Sequence, residues 1–203
     1  QRRDGGAVHS QGRADEETPL PSMPLPFQAG ADRVLAAMNR KHTAAEYLDL
    51  IGRIREARPD IALSTDIIVG FPGETDQDFE ATLTLVKNAN FAHAFSFKYS
   101  ARPGTPASTM DGQVPERVKR ERLERLQAAI DAGYRRFNGA FVGKTMPVLF
   151  EKAGRHTGQL VGRSPYLQLV HADADPSLVG QIVDVEIRDA GANSLSGVIC
   201  GSS

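Results

Sequence analysis

The sequence predicts an α/β fold in which part of a parallel (βα) barrel is followed by a small five-stranded antiparallel β-barrel. Two observations predict the first unit. An apolar strand at residues 61–69 ends in the turn Gly70-Phe-Pro-Gly-Glu74, and helical and strand patterns alternate around it. The second unit is predicted because the chain after Val142 breaks into five short β segments with frequent glycine.

Composition limits the classes of protein that fit. The 203 residues are 40% hydrophobic, which is enough for one medium and one small domain. We predict domains at 22–140 and 141–203, with 1–21 disordered or foreign to the fold because it is polar and aperiodic. Cys200 is the single cysteine, so neither a disulfide framework nor a multi-cysteine metal site can be built from this chain. No apolar stretch has membrane length, and we expect a soluble, cytoplasmic protein.

Local signals predict the elements of the first unit. Thr43 and Glu46 form a capping-box pattern, and Thr75 with Asp78 can cap the helix after the central turn. In chain order we expect an extended segment at 23–30, helices at 32–38 and from 43 to before Arg58, the strand at 61–69, a helix carrying Phe79, Leu83 and Val86, a strand at 93–99, and a long helix from Pro115 to Asn138.

In this arrangement, two polar side chains are candidate ligand contacts. Asp66 interrupts the apolar strand, and Arg102 lies in the Pro- and Gly-rich loop after the next strand. Ligands of α/β folds sit at the carboxyl ends of parallel strands, where both residues would meet. A buried carboxylate must find a partner or a ligand, so Asp66 is either a ligand contact or a structurally paired aspartate. Arg102 could bind a carboxylate or phosphate, or it could pair with Asp66 or Glu74.

The long helix has a strongly charged face opposite its apolar stripe. Such a face is usually only solvated, although its excess of cations would also suit a helix lying near a polyanion. The residues assigned to this face are Arg117, Lys119, Arg120, Arg122, Arg125, Arg135 and Arg136, against Glu116, Glu121, Glu124 and Asp131.

Charge in the predicted small barrel is uneven, while the whole chain is balanced at 24 Lys and Arg against 25 Asp and Glu. Its first part is basic and its second part acidic. Small barrels commonly bind oligonucleotides on one face. The basic half, with Tyr166 and His156 as stacking surfaces, is therefore a candidate RNA contact, and the alternative is a polar surface without a ligand. The basic residues are Lys144, Lys152, Arg155 and Arg163.

Several segments together carry a resemblance to a known family. They are 26–35 with Met38-Asn-Arg40, the run Thr65-Asp-Ile-Ile-Val-Gly-Phe-Pro-Gly-Glu-Thr75, the run Phe97-Lys-Tyr-Ser-Ala-Arg-Pro-Gly-Thr-Pro-Ala107, Gly143-Lys144, and Gly158-Gln-Leu-Val-Gly-Arg163. Over about residues 22–200 the chain resembles the tRNA methylthiotransferases of the radical-SAM superfamily.

The resemblance implies the C-terminal part of a radical-SAM partial barrel followed by a TRAM domain, which is OB-like and binds RNA. The parent enzyme would transfer a methylthio group to C2 of N6-isopentenyladenosine next to the anticodon, using S-adenosylmethionine and 4Fe-4S clusters. Its partner would be the tRNA anticodon stem-loop, and it would be a monomer. The family signature Cys-x-x-x-Cys-x-x-Cys is absent here, so we expect this chain alone to be inactive. A methylthiotransferase for threonylcarbamoyladenosine or for a ribosomal protein, and a non-catalytic RNA-binding module, stay open as alternatives.

The resemblance also assigns site residues, none of them catalytic or metal-binding. Where the family usually has Gln-Ser-Gly-Ser, this chain has Gln28-Ala-Gly-Ala31, which removes two hydroxyl groups. The residues implied to contact S-adenosylmethionine are Gln28, Asp66, Gly70, Glu74 and Arg102. Those predicted to contact RNA are Lys144, Arg155, Arg163 and Tyr166.

Overall fold

The computed structural model describes residues 22–191 and 193–201, so the prediction for 1–21 lies outside the described residues. Its first unit contains a parallel sheet with the strand order β1-β2-β3. Strand β1 is Ser22–Pro24, β2 is Ala62–Val69 and β3 is His93–Lys98. In the register of β2 and β3, Asp66 is opposite Phe95 and Val69 is opposite Lys98. The parallel βα arrangement predicted from the sequence is confirmed.

Four helices connect and follow these strands. They are α1 (Asp32–Ala37), α2 (Ala44–Ala57), α3 (Asp76–Ala89) and α4 (Glu116–Gly139). Helices α2 and α3 begin with complete capping boxes at Thr43 and Thr75, as predicted. Each box satisfies backbone N–H groups that the first helical turn would otherwise leave without a partner.

Helices α2, α3 and α4 pack on one face of the sheet and leave the other face open. On β2, Leu63, Ile67 and Val69 are buried in the core with residues of α2, α3 and α4. Residues of the opposite face, among them Asp66 and Ile68, are only half-buried. The predicted burial of the strand therefore holds for one face, because alternate side chains of a strand point to opposite sides of the sheet.

The prediction of a charged, exposed face on α4 is wrong for two of its cations. Lys119 and Arg122 are 9% and 5% exposed. Both lie one helical turn from Leu123 and Leu126, on the side of α4 that packs against the sheet unit, and the helical period places them there. The exposed cations that remain on this helix include Arg117, Arg120 and Arg135.

The second unit is a closed barrel with the strand order β4-β5-β6-β8-β7. Its pairs are antiparallel except that of β6 with β8, which is parallel. A ring of five strands cannot alternate in direction throughout, because five is odd. The barrel was predicted to be antiparallel, and it differs from that prediction in the pairing of β6 with β8. The strands are β4 (Thr145–Ala153), β5 (Gln159–Arg163), β6 (Leu169–Asp173), β7 (Ile182–Ala190) and β8 (Ser194–Ile199).

Inward-facing residues of all five strands fill the barrel, among them Val148, Phe150 and Leu195. Gly162 permits the close crossing of β4 and β5, since a Cβ there would lie 2.4 Å from the carbonyl oxygen of Leu149. Among the residues described, no helix is both long and apolar enough to cross a bilayer.

Candidate functional site

The turn that follows β2 lies beside the candidate site. Gly70 has φ +76°, and a Cβ on it would lie 2.5 Å from Cγ of Lys119, so only glycine fits between the turn and α4. Its backbone N–H donates to Oε1 of Glu74 at 2.9 Å. The turn is therefore closed on itself by the carboxylate of Glu74.

Glu74 is held in turn by α4. Nη1 of Arg122 donates to Oε1 of Glu74 at 2.7 Å and to its carbonyl oxygen at 3.2 Å, while Nη2 donates to Asp76 at 2.7 Å. Burial raises the pKa of Glu74, and the hydrogen bond from Gly70 and the guanidinium of Arg122 oppose that rise. Gly70 and Glu74, predicted as cofactor contacts, thus lie in a buried scaffold beside the cleft and not among its lining residues.

A cleft of about 590 Å³ opens at the carboxyl ends of β2 and β3. Three of the five predicted cofactor contacts line it together: Gln28, Asp66 and Arg102. Its apolar wall includes Ile68 and Phe97. Because these residues come from segments far apart in sequence, their meeting is a result of the parallel strand order.

Gln28 is positioned by the backbone. Its N–H donates to the carbonyl of Asp66 at 3.0 Å, and its own carbonyl accepts from Ile68 at 2.9 Å. Its φ of 75° lies in the left-handed region, which is uncommon for a residue other than glycine. Such strain persists only where the surrounding structure imposes it, and it is frequent at ligand sites.

Asp66 and Arg102 both line the cleft. Within the described residues, neither side chain takes part in an ion pair, and Glu74 pairs with Arg122 instead of Arg102. The sequence left open an ion pair of Arg102 with Asp66 or with Glu74. Neither pair is observed among the described residues. A carboxylate and a guanidinium in one cleft offer an acceptor and a two-pronged donor to a ligand.

Sequence reasoning missed Tyr99 and Lys119. The side chain of Tyr99 lines the cleft, and its hydroxyl is buried without a hydrogen-bond partner among the described residues. Nζ of Lys119 donates to the carbonyl of Tyr99 at 3.1 Å and lies 5.3 Å from the centre of its ring. The helical spacing of Lys119 from the apolar residues of α4 was the available signal for its burial.

The two alanines that depart from the family pattern do not line the cleft. Ala29 is packed in a small apolar cluster with Val34, Leu35 and Phe71. Gly30 between them donates its N–H to the hydroxyl of Thr82 at 2.9 Å. The segment is thus fixed against α3. Because neither alanine lines the cleft, the two missing hydroxyl groups are not at positions of the described lining.

Two of the four predicted RNA contacts lie beside Phe141. Tyr166 lies at the junction of the two units, where its ring is 4.9 Å from that of Phe141, and Nζ of Lys144 lies 5.4 Å from the ring of Phe141. Arg155 and Arg163 are exposed at opposite ends of the stretch formed by β5 and the loop before it. Nε of Arg163 is 3.4 Å from the carboxylate of Glu151.

The junction itself is polar at its centre. Asn138, at the end of α4, accepts a buried 2.8 Å hydrogen bond from Nε2 of Gln168. Nε2 of His93 is 3.2 Å from the carbonyl oxygen of Tyr166. These contacts join the edge strand β3 and helix α4 to the small barrel.

Comparison with known proteins agrees with this division into two units. Residues 14–86 match the radical SAM superfamily, and residues 139–200 match the TRAM domain. The first match runs from before β1 into α3, and the second covers all five barrel strands.

One similar protein is a tRNA-2-methylthio-N(6)-dimethylallyladenosine synthase from Maricaulis maris (strain MCS10). It is 56% identical over 200 residues, which are 98% of this chain and 44% of that protein. This chain therefore spans less than half the length of that relative. Among solved structures, the radical SAM enzyme coproporphyrinogen III oxidase (HemN) from Escherichia coli aligns with 57% of this chain and 27% of that chain, at a TM-score of 0.47 and 20% identity.

Proposed function

This chain contains part of a radical SAM domain and a TRAM domain, and from that premise we propose that it is a portion of a tRNA methylthiotransferase. The proposed reaction of the complete enzyme is transfer of a methylthio group to C2 of N6-isopentenyladenosine next to the anticodon. The 56% identity to a synthase of that name supports the proposal. Because the chain spans 44% of that relative, the activity is proposed for the complete protein.

One structural observation carries the proposal: Gln28, Asp66 and Arg102 converge on one cleft at the carboxyl edge of a parallel sheet. This edge is where α/β folds bind ligands.

These side chains fit S-adenosylmethionine as the ligand. We assign Asp66 as the acceptor for ribose hydroxyl groups and Arg102 as the donor to the methionyl carboxylate, with the amide of Gln28 between them as a further polar contact. Bound beside a reduced iron–sulfur cluster, S-adenosylmethionine supplies the radical chemistry of such enzymes. The contribution of this chain is to bind and orient it.

The donor set of this chain does not fit the iron–sulfur cluster. A cluster of this kind depends on several cysteine thiolates, and the sequence contains Cys200 alone, which is exposed at the end of β8. The described residues also contain no group of three His, Cys, Asp or Glu that could hold a metal ion. We therefore propose that the cluster ligands lie outside this chain and that the chain alone is inactive. The reading frame upstream of Gln1 should then encode Cys-x-x-x-Cys-x-x-Cys.

The small barrel is proposed to bind the anticodon stem-loop. Lys144, Arg155 and Arg163 would contact backbone phosphates, which positions an RNA without reading its sequence. Since the proposed substrate is a tRNA, we expect the enzyme to act in the cytoplasm, as a monomer.

Substitution of the cleft residues in the complete, cluster-loaded enzyme tests the proposal. We expect Asp66→Asn to weaken S-adenosylmethionine binding about tenfold, because a hydrogen bond to a charged group contributes about 1.5–3 kcal/mol. Arg102→Lys should lose a similar amount, since an ammonium group cannot form the two-pronged contact. Equilibrium dialysis measures binding, and mass spectrometry of the modified nucleoside measures turnover.

Asp49→Asn is the matched control, because this carboxylate is exposed on α2 away from the cleft. The cleft assignment fails if Asp66→Asn and Asp49→Asn bind S-adenosylmethionine equally well. The reaction assignment fails if the complete wild-type enzyme leaves isopentenyladenosine unmodified in the stem-loop.

A further inference from the structure

A second cavity lies on the outside of the small barrel, across β5, β6 and β8. Its volume is about 490 Å³, within the range of about 300–1,000 Å³ that is usual for small-molecule sites. It is open to solvent and distant in sequence from the cleft residues. Its lining consists of Leu169 and seven polar residues, which are Arg155, His156, Gln159, His171, Asn193, Ser194 and Ser196.

Strand register explains why these residues meet. Val170 and Ala172 of β6 point into the barrel core, so His171 between them points outward. His171 is opposite Val161 on β5 and opposite Ser196 on β8. The parallel pairing of β6 with β8 therefore places Ser196 beside the imidazole, and the loop before β5 adds Arg155 and His156 from one side.

The chemistry of this groove is that of a donor-rich, partly aromatic surface. Its lining contains a guanidinium, two imidazoles, two carboxamides and hydroxyl groups, and no carboxylate. Asp173, two residues beyond His171 on the same face of β6, is outside the lining. Within the described part of the chain, neither imidazole forms a side-chain hydrogen bond or an ion pair, so both rings are available to a ligand.

We propose that this groove binds one unstacked nucleotide of a single-stranded RNA segment. The ring of His171 stacks on the base, the amides of Gln159 and Asn193 hydrogen-bond to its edge, and Arg155 contacts its phosphate. The inference rests on the proposed function in that it takes RNA as the partner of the small barrel. It goes further by assigning a base-binding site around His171, Gln159 and Asn193, which the charge pattern alone did not single out.

Fluorescence anisotropy with the whole chain and two RNA probes tests the groove. One probe is a synthetic hairpin with an unpaired loop, and the other is a blunt duplex with the same stem. His171→Ala should weaken hairpin binding about tenfold, because base–aromatic stacking contributes about 1–3 kcal/mol, and it should leave duplex binding unchanged. His171→Tyr keeps a ring at this position and should retain most of the hairpin affinity.

Two further variants test the contribution of positive charge to RNA binding. Arg155→Ala should weaken binding to both probes. It should also lower the slope of log affinity against log salt concentration by about one, as expected for loss of a phosphate contact. Arg188→Ala removes the same charge from an exposed side chain on β7 that pairs with Glu186, and it should change neither affinity. Thermal melting of each variant confirms that the barrel is folded.

The proposed groove is overturned if His171→Ala binds the hairpin like the unchanged chain, or if it weakens hairpin and duplex equally. In that case, loss of hairpin binding on Arg163→Ala would leave the proposed function standing and remove only the groove. If the unchanged chain binds neither RNA, the RNA-binding part of the proposed function fails together with the groove.

Discussion

At the scale of single residues, the buried pair formed by Arg122 and Glu74 holds the turn beside the cleft. The two side chains are 7% and 2% exposed, and their charged atoms are 2.7 Å apart. Through this pair, α4 fixes the turn that begins at Gly70. A buried pair of this kind is not in itself a gain in stability, but removal of one partner leaves an uncompensated buried charge.

We expect Arg122→Ala to destabilise the chain by about 3–5 kcal/mol at neutral pH. Burial raises the pKa of Glu74, so this carboxyl keeps its proton to a higher pH in the folded protein than in the unfolded chain. The penalty in the variant should therefore be smallest below the ordinary pKa of a glutamate and should grow as pH rises through the raised pKa. Urea denaturation at acidic and neutral pH measures both values.

Arg125→Ala is the control, because Arg125 lies on the same helix as Arg122 and pairs with the exposed Glu80 of α3. Such a surface pair contributes about 0.2–1 kcal/mol, with little dependence on pH in this range. Equal losses for the two variants would contradict the role given to Arg122.

At the scale of elements, α4 connects the cleft to the small barrel. Its 24 residues span about 36 Å. Lys119 and Arg122 near its beginning hold the loops after β3 and β2, respectively, and Asn138 near its end bonds to Gln168 of the barrel. One helix thus sets where the small barrel lies relative to the cleft.

We expect Asn138→Ala to loosen this junction more than either unit. The amide of Gln168 loses a buried acceptor, which costs about 1–3 kcal/mol. Hydrogen exchange followed by mass spectrometry should show faster exchange in β5 and β6 and unchanged exchange in α3. Gln127→Ala, at an exposed position of the same helix, should leave both unchanged. If β5 and β6 exchanged no faster in Asn138→Ala than in the unchanged chain, the junction would not depend on this hydrogen bond.

At the scale of the whole molecule, the sheet has an uncovered apolar face. Phe95 and Phe97 are 61% and 51% exposed, and β3 pairs with β2 alone among the described strands. Strand β3 is therefore an edge of the sheet among the described strands. Large exposed apolar side chains beside an unpaired edge favour association between molecules.

We predict that the isolated chain self-associates in a concentration-dependent way and that Phe95→Ser weakens this association about tenfold or more. Burial of a phenylalanine contributes about 1.5–3 kcal/mol, which corresponds to at least that factor. Light scattering after gel filtration measures the effect. Val179→Ser, an exposed apolar position on the small barrel, should leave the association unchanged. A monodisperse monomer at all concentrations would contradict the prediction.

The sequence by itself determined the local structure. Both capping boxes, the extent of α4 to within about a residue and the five barrel strands depend on contacts within a few residues, and these contacts are visible as spacing. It also predicted that Asp66 and Arg102 meet, because parallel strands end at one edge.

Only the tertiary structure decided how these elements meet. It buried Lys119 and Arg122, left Asp66 without an ionic partner in the described residues, placed Tyr166 in the junction, and paired β6 with β8 in parallel. The physical reason is that burial and strand pairing depend on residues distant in sequence. A cation on a helix is solvated or buried according to the residues that pack against it. The spacing of residues along one helix does not identify which residues of another element those are.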